Sequence, residues 1–186
     1  EQRDVFYYIT LMNENYAQPD LPVGAAAQVL RGGYRFAGYG PKGSKPQVSL
    51  MGSGAILTEV IRAAELLAEQ GIASEVFSVT SWSELARDGQ RCADLANEAG
   101  ASAEVAQVVQ LLGTARGPIV AASDYVRAVP DSIRAHVPAK RRFITLGTDG
   151  FGRSDTRAAL RGFFGVDAQS IAQVALREVA SGALRQ

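Results

Sequence analysis

QVSLMGSGAILTEVIRAAELLAEQGIASEVFSVTSW, residues 47–82, decides the fold. QVSLMGSG reads as a short buried strand running into a glycine turn. The following AILTEVIRAAELLAEQG places Ile56, Leu57, Val60, Ile61, Ala64, Leu67 and Ala68 on one helical face. Gly71 is the expected terminator of that helix, because glycine accepts the left-handed conformation that ends helices. SEVFSVTSW then reads as a second strand. Strand, helix and strand in succession form the unit of a parallel sheet with a crossover helix.

Working outward, the alternation continues. Ser81 and Glu84 have the spacing of a capping box at the start of SWSELARDGQ. ASAEVAQVVQLL, residues 101–112, reads as an amphipathic helix and GPIVAASDY as a third strand. DYVRAVPDSIRAHV reads as a helix that bends or restarts at Pro130, since proline lacks the amide donor. RRFITLGT is a fourth strand. TRAALRGFF and AQSIAQVALREVASG supply two closing helices, the second with Ile171, Val174, Ala175 and Val179 on one face. The pattern predicts an α/β, three-layer fold: a mostly parallel sheet with helices on both faces. Its functional edge is expected at the carboxyl ends of the strands, here MGSGA, VTSWSE, ASDY and GTDGFGRSD.

Upstream the pattern differs. DVFYYIT, residues 4–10, reads as a strand followed by the polar exit loop MNENYAQPDLP. Residues 31–46 hold five glycines and two prolines in sixteen positions and are expected to be a linker or surface segment.

Composition narrows the function classes. The 186 residues are 47% hydrophobic and 20% charged, enough for one good core. Nineteen basic residues balance nineteen acidic ones, so nothing draws the chain generally to nucleic acid or an anionic membrane. The single cysteine, Cys92, permits neither an intrachain disulfide nor a CxxC metal motif, and fits a cytoplasmic location. The apolar runs fall short of the roughly 20 residues that span a bilayer. The start, without Met and in mid-pattern, suggests a processed chain or a piece of something longer.

The chemistry-bearing residues are sparse. MGSG could cradle a phosphate at a helix N-terminus, but it lacks the full GxGxxG pattern and a Walker lysine, so a tight turn is the simpler reading. GTDGFGRSD offers Asp149, Arg153, the conformationally permissive Gly150 and Gly152, and Ser154 or Asp155 as a cap for a helix beginning near Thr156. It reads as a structural corner or as an anion or interface contact. His136, the only histidine, sits at a helix end, where bonding to free carbonyls is the ordinary role. Cys92 reads as a small buried residue. No catalytic group and no metal site is predicted.

DVFYYITLMNENYAQP, SLMGSGAIL, SVTSWSELARDGQ, ASDYVRAVP and above all LGTDGFGRSDTRAALRGFFGVDA resemble the C-terminal part of the homodimeric-type pyruvate dehydrogenase decarboxylating component, a transketolase-like thiamine diphosphate family. The resemblance implies that residues 1–20 end a pyrimidine-binding domain, 21–46 are a linker, and 47–186 form a transketolase-like C-terminal domain. It implies thiamine diphosphate and magnesium in the complete enzyme, held by domains missing here and not by this chain alone. It further implies dimeric assembly and a lipoyl-bearing carrier domain as acyl acceptor, with no nucleic acid or membrane partner. Asn13, Glu14, Asn15 and Tyr16 match a region that approaches substrate. Asp149, Gly150, Gly152, Arg153, Ser154 and Asp155 are then expected to organise the domain or the dimer interface. Where the family carries a histidine–proline stretch rich in aromatics, residues 93–116 are alanine-rich. This departure leaves two alternatives: a subunit of a split transketolase-like enzyme moving a two-carbon ketol or acyl unit, and a non-catalytic interaction module.

Overall fold

The computed structural model describes residues 4, 6, 9, 12–98, 104–113 and 115–183. Five strands form one sheet: β1 (Gly33–Tyr39), β2 (Val48–Ser53), β3 (Ser74–Val79), β4 (Ile119–Ala122) and β5 (Phe143–Leu146), in the order β1-β3-β2-β4-β5. β2, β3, β4 and β5 are parallel, and β1 closes one edge antiparallel to β3. The four strands read from the sequence are β2 to β5. The fifth lies inside the segment expected to be a linker. Residues 31–46 therefore do not simply connect: β1 pairs along β3 with a bulge between Arg35 and Ala37. The short helix α1 (Ala26–Leu30) precedes it. The strand expected over residues 4–10 falls, apart from residues 4, 6 and 9, outside the described residues.

The helices are α2 (Ile56–Glu69), α3 (Trp82–Ala96), α4 (Gln107–Leu112), α5 (Ala128–Asp131), α6 (Arg157–Phe164) and α7 (Ala168–Ala183), with a 3-10 turn at Arg134–His136. Side chains alternate across the pleat, and the alternation explains the layers. Val48 and Leu50 of β2 and Val76 of β3 face α2 and α7, where they bury Val60, Ala64, Leu67, Ile171 and Ala175. Met51, Phe77, Ile119 and Ala121 face the other way, onto Trp82, Leu85, Val108, Leu112 and Ile133. Each fully buried Leu or Val contributes about 1.5–3 kcal/mol. Gly52 is required by this packing, since a Cβ there would lie 2.8 Å from Val60 Cγ2 and 3.0 Å from Leu57 Cα.

The helix ends follow the sequence signals. Ser81 caps α3, its Oγ accepting from Glu84 N at 3.1 Å. Gly71, at φ +75°, ends α2, and Ile72 N donates to Leu67 O across the turn. The helix expected over 101–112 is shorter. Only Gln107–Leu112 is helical among its described residues, and 101–103 lie outside them. The Asp88 carboxylate of α3 starts α4 by accepting from Gln107 N at 2.6 Å. Within the alanine-rich departure, Ala106, Val108 and Leu112 are packed into the second face of the sheet. Pro130 sits inside α5, after which the chain restarts as the 3-10 turn.

Candidate functional site

The carboxyl ends of β2 to β5 open onto a broad edge where the loops Ser53–Ala55, Thr80–Ser81, Ser123–Tyr125 and 147–156 meet. Residues 12–16 run over this edge. One cleft of about 280 Å³ is lined by Met12, Asp124, Thr148, Arg153, Arg157 and Arg161 among others. A second, of about 480 Å³, shares Met12 and Asp124 and reaches the first turns of α2 and α3.

The loop after β5 is anchored on the loop after β4. Asp149 Oδ1 accepts from Arg127 N at 2.8 Å and Oδ2 pairs with the Arg127 guanidinium. Those two interactions hold the Asp149 carboxyl below the usual carboxylate range. Thr148 Oγ1 donates to Asp124 O at 2.7 Å, and Gly147 presses so close that a Cβ would lie 2.5 Å from Tyr125 O. Beyond this anchor Gly150 takes φ +94°, a turn that needs glycine, whereas Gly152 is not in the left-handed region. Arg153 stacks over Phe163, its guanidinium carbon 4.0 Å from the ring centroid. The loop carries Phe151, 96% exposed, and Tyr125, Val126 and Phe163 on the elements it touches are exposed as well.

Neither Ser154 nor Asp155 caps α6. Thr156 does, with extended backbone (φ −64°, ψ 152°) and its Oγ1 accepting from Ala159 N at 3.3 Å. Asp155 Oδ1 accepts instead from Thr156 N at 2.7 Å, steadying the cap, and Ser154 is exposed. Three consecutive oxygen-bearing side chains made the position ambiguous, and only the backbone turn selects among them. Thr156→Ala is therefore expected to lower the unfolding free energy by about 1 kcal/mol. Ser154→Ala should stay within about 0.5 kcal/mol, both read from chemical denaturation.

The other candidate group, residues 13–16, is brought to α6. Glu14 Oε2 lies 2.9 Å from Arg157 Nε and accepts from Tyr16 OH at 2.7 Å. Asn13 Oδ1 accepts from the Arg157 guanidinium. Arg161 donates to Tyr16 OH at 3.1 Å and reaches Glu59 Oε1 of α2 at 2.8 Å. Asn15 is exposed. Sequence reading missed Arg157, Arg161 and Glu59. Arg157 and Arg161, four residues apart in α6, share one helix face, and Arg153 joins them in lining the cleft, but the acidic partners of Arg157 and Arg161 lie far away in sequence.

His136 and Cys92 lie away from this edge. His136 packs on α3 so tightly that a Cβ at Gly89 would lie 2.4 Å from its Cγ. Cys92 is buried, and burial pushes its thiol pKa up, which disfavours the nucleophilic thiolate.

Residues 32–167 match the transketolase-like TK C-terminal domain family. The chain is 44% identical over 97% of its length to the pyruvate dehydrogenase E1 component of Cupriavidus necator, and 45% identical, again over 97%, to that of Pseudomonas aeruginosa. The Escherichia coli K12 component is 44% identical over the same share. In each case the chain spans 20% of the relative's length. Among solved structures, transketolase from Leishmania mexicana aligns with a TM-score of 0.57 at 17% identity, over 83% of this chain and 19% of that one. Transketolase from Campylobacter jejuni aligns with a TM-score of 0.54 at 17% identity, over 80% and 19%. The structural likeness, at that identity, speaks for the fold alone: a mixed five-stranded sheet between helices. The match across most of the sequence, on the same sheet and loops, makes this chain a member of the transketolase-like C-terminal domain family.

Proposed function

We propose that the chain is the C-terminal portion or subunit of a thiamine diphosphate-dependent pyruvate dehydrogenase decarboxylating component, and that it serves assembly and dimerisation rather than the chemistry itself. In this reading the whole enzyme decarboxylates pyruvate in the cytoplasm and passes the acyl unit to a lipoyl-bearing carrier domain. The observation that carries the assembly role is the loop after β5. It is anchored by the Asp149–Arg127 contacts and holds Phe151 almost wholly in solvent. A large apolar side chain presented by a fixed loop suits a packed partner surface.

The thiamine diphosphate and magnesium of the complete enzyme are assigned, in this proposal, to the domains that precede this one. Residues 12–16 would carry the chain out of the preceding pyrimidine-binding domain, with Glu14 and Tyr16 tied to α6. No helix among the described residues is long and apolar enough to cross a membrane.

The test combines this chain with the remaining, larger part of a homologous E1 component from which the matching segment has been deleted. Co-sedimentation and restored pyruvate decarboxylation are the expected results. Restored transfer from a ketose donor without pyruvate turnover would favour the split transketolase-like alternative. Arg153→Ala should weaken the association severalfold and leave the KM for pyruvate of the assembled enzyme unchanged. Full association with a raised KM would move Arg153 from the interface to the substrate.

A further inference from the structure

The three lysines of the chain, Lys42, Lys45 and Lys140, all stand at one margin of the sheet, the end where β2, β4 and β5 begin. Lys42 and Lys45 lie in the loop that enters β2, and Lys140 lies in the approach to β5. Arg116 stands between them, in the approach to β4. All four side chains are exposed, and none pairs with a carboxylate among the described residues, whereas most arginines do. The chain as a whole is neutral, so the unpaired cations make a local positive field, which attracts partners of opposite charge.

These loops border a groove of about 520 Å³ that runs along the end of α7. Arg116, Lys140 and Arg142 supply its cations, and Pro46, Pro118 and Val179 supply an apolar seat. Glu178 is the one carboxylate in its walls. That side chain is 6% exposed and forms an ion pair with Arg142 at 2.8 Å, without hydrogen-bond geometry, while Arg177 lies 3.5 Å away, so its charge is answered within the protein. The frame beneath the cations is fixed. Arg141 donates to Gly117 O at 2.7 Å, Ser49 N to Pro118 O at 3.0 Å and Ile119 N to Arg142 O at 2.8 Å. A Cβ at Gly117 would lie 1.6 Å from Gln47 O, so the loops entering β2 and β4 are pressed together. A rigid base lowers the ordering cost of binding. Residues 12–16 cross the opposite, carboxyl margin and leave this groove uncovered.

We propose that this groove docks an extended acidic segment of a separate protein, with an apolar side chain seated between Pro46, Pro118 and Val179 and flanking carboxylates against Arg116 and Lys140. Lys42 and Lys45 extend the positive field past the groove, farther than a single small anion would use. No aromatic ring lines the groove to stack a nucleic-acid base, which favours a peptide over a single strand of RNA. The surface lies at the other end of the sheet from the loop after β5 and stands independently of the assembly role. Its probe is a fluorescein-labelled peptide in which one leucine is flanked on both sides by runs of glutamate, followed by anisotropy with the 186-residue chain at about 20 mM salt, where surface charges are weakly screened.

Saturable binding is expected. Arg116→Gln combined with Lys140→Gln should weaken it by about tenfold or more. Arg62→Gln combined with Arg87→Gln removes the same charge from exposed positions on α2 and α3 and should change it by less than about twofold. Both double variants should keep the thermal midpoint of the parent chain, because the substituted side chains are exposed. Replacing the leucine of the peptide by serine should cost about threefold or more, through loss of the apolar seat. Absence of saturation overturns the docking surface. Equal losses in the two double variants overturn it in favour of general charge attraction. Undiminished binding of the serine peptide overturns the apolar seat, and tighter binding of a single-stranded RNA of equal length overturns the acidic peptide as the partner.

Discussion

Arg141→Met lowers the unfolding free energy by about 2–4 kcal/mol, because several part-buried acceptors lose one charged donor. The guanidinium donates to Leu112 O at 2.6 Å, Gly117 O at 2.7 Å and Ser49 Oγ at 2.8 Å. One side chain thus joins the end of α4, the approach to β4 and the inner strand β2. Burial pushes its pKa down to about 10, a sign of how far the cation is removed from water. Methionine preserves much of the stem but leaves the carbonyls without donors, and unmade bonds in a buried place cost more than made ones return. The measurement is the guanidinium chloride midpoint, which should fall with an unchanged m-value. A loss below about 1 kcal/mol would mean that water replaces the guanidinium at these acceptors.

Glu59→Ala is the second large effect, about 2–4 kcal/mol. Its carboxylate does two jobs at once: Oε1 meets Arg161 at 2.8 Å and Oε2 accepts from Ala168 N, the first residue of α7, at 3.0 Å. Both side chains of the ion pair are well sheltered, at 21% and 17% exposure. The alanine variant leaves a sheltered guanidinium unpaired and α7 without its cap from α2. Besides a lower melting temperature, hydrogen exchange should speed up in the first turn of α7. Glu14→Ala provides the contrast. Its pair with Arg157 is much more open to water, and an open pair contributes at most about 1 kcal/mol. Similar losses for the two variants would show that burial is not what separates them.

The elements legible in the sequence were those whose evidence is local. β2 and α2 show their alternation, helical face and terminating glycine within one stretch, and Ser81 and Glu84 announce α3. β1 was hidden because Gly33 and Gly38 dilute the strand pattern, and for Gly33 and the following Gly40 the reason lies elsewhere in the chain. A Cβ at Gly33 would come 3.1 Å from Ser78 O, and one at Gly40, just past the strand, would come 2.6 Å from Ala73 Cα. Those glycines record the approach of β3, which the sequence of residues 31–46 cannot display. The candidate site divides in the same way. Asp149 and Gly150 were read from turn chemistry, and both hold the loop. The partnership of Arg161 with Glu59 depends on α2 and α6 meeting in space. Trp82 and Ser83 were read within VTSWSE at the carboxyl edge of the sheet and at the opening of SWSELARDGQ, and α3 begins there.

The bulge in β1 has a consequence for what the molecule can join. A sheet ends in rows of unpaired amides and carbonyls that invite another chain to add a strand. On one side that row belongs to β1, whose regular repeat is interrupted between Arg35 and Ala37. On the other it belongs to β5, only four residues long. Both margins discourage indiscriminate growth of the sheet, one by irregularity and one by brevity. Self-templating is thereby suppressed, and recognition passes to the side chains of loops, where a wrong neighbour meets a poor fit instead of a matching backbone ladder.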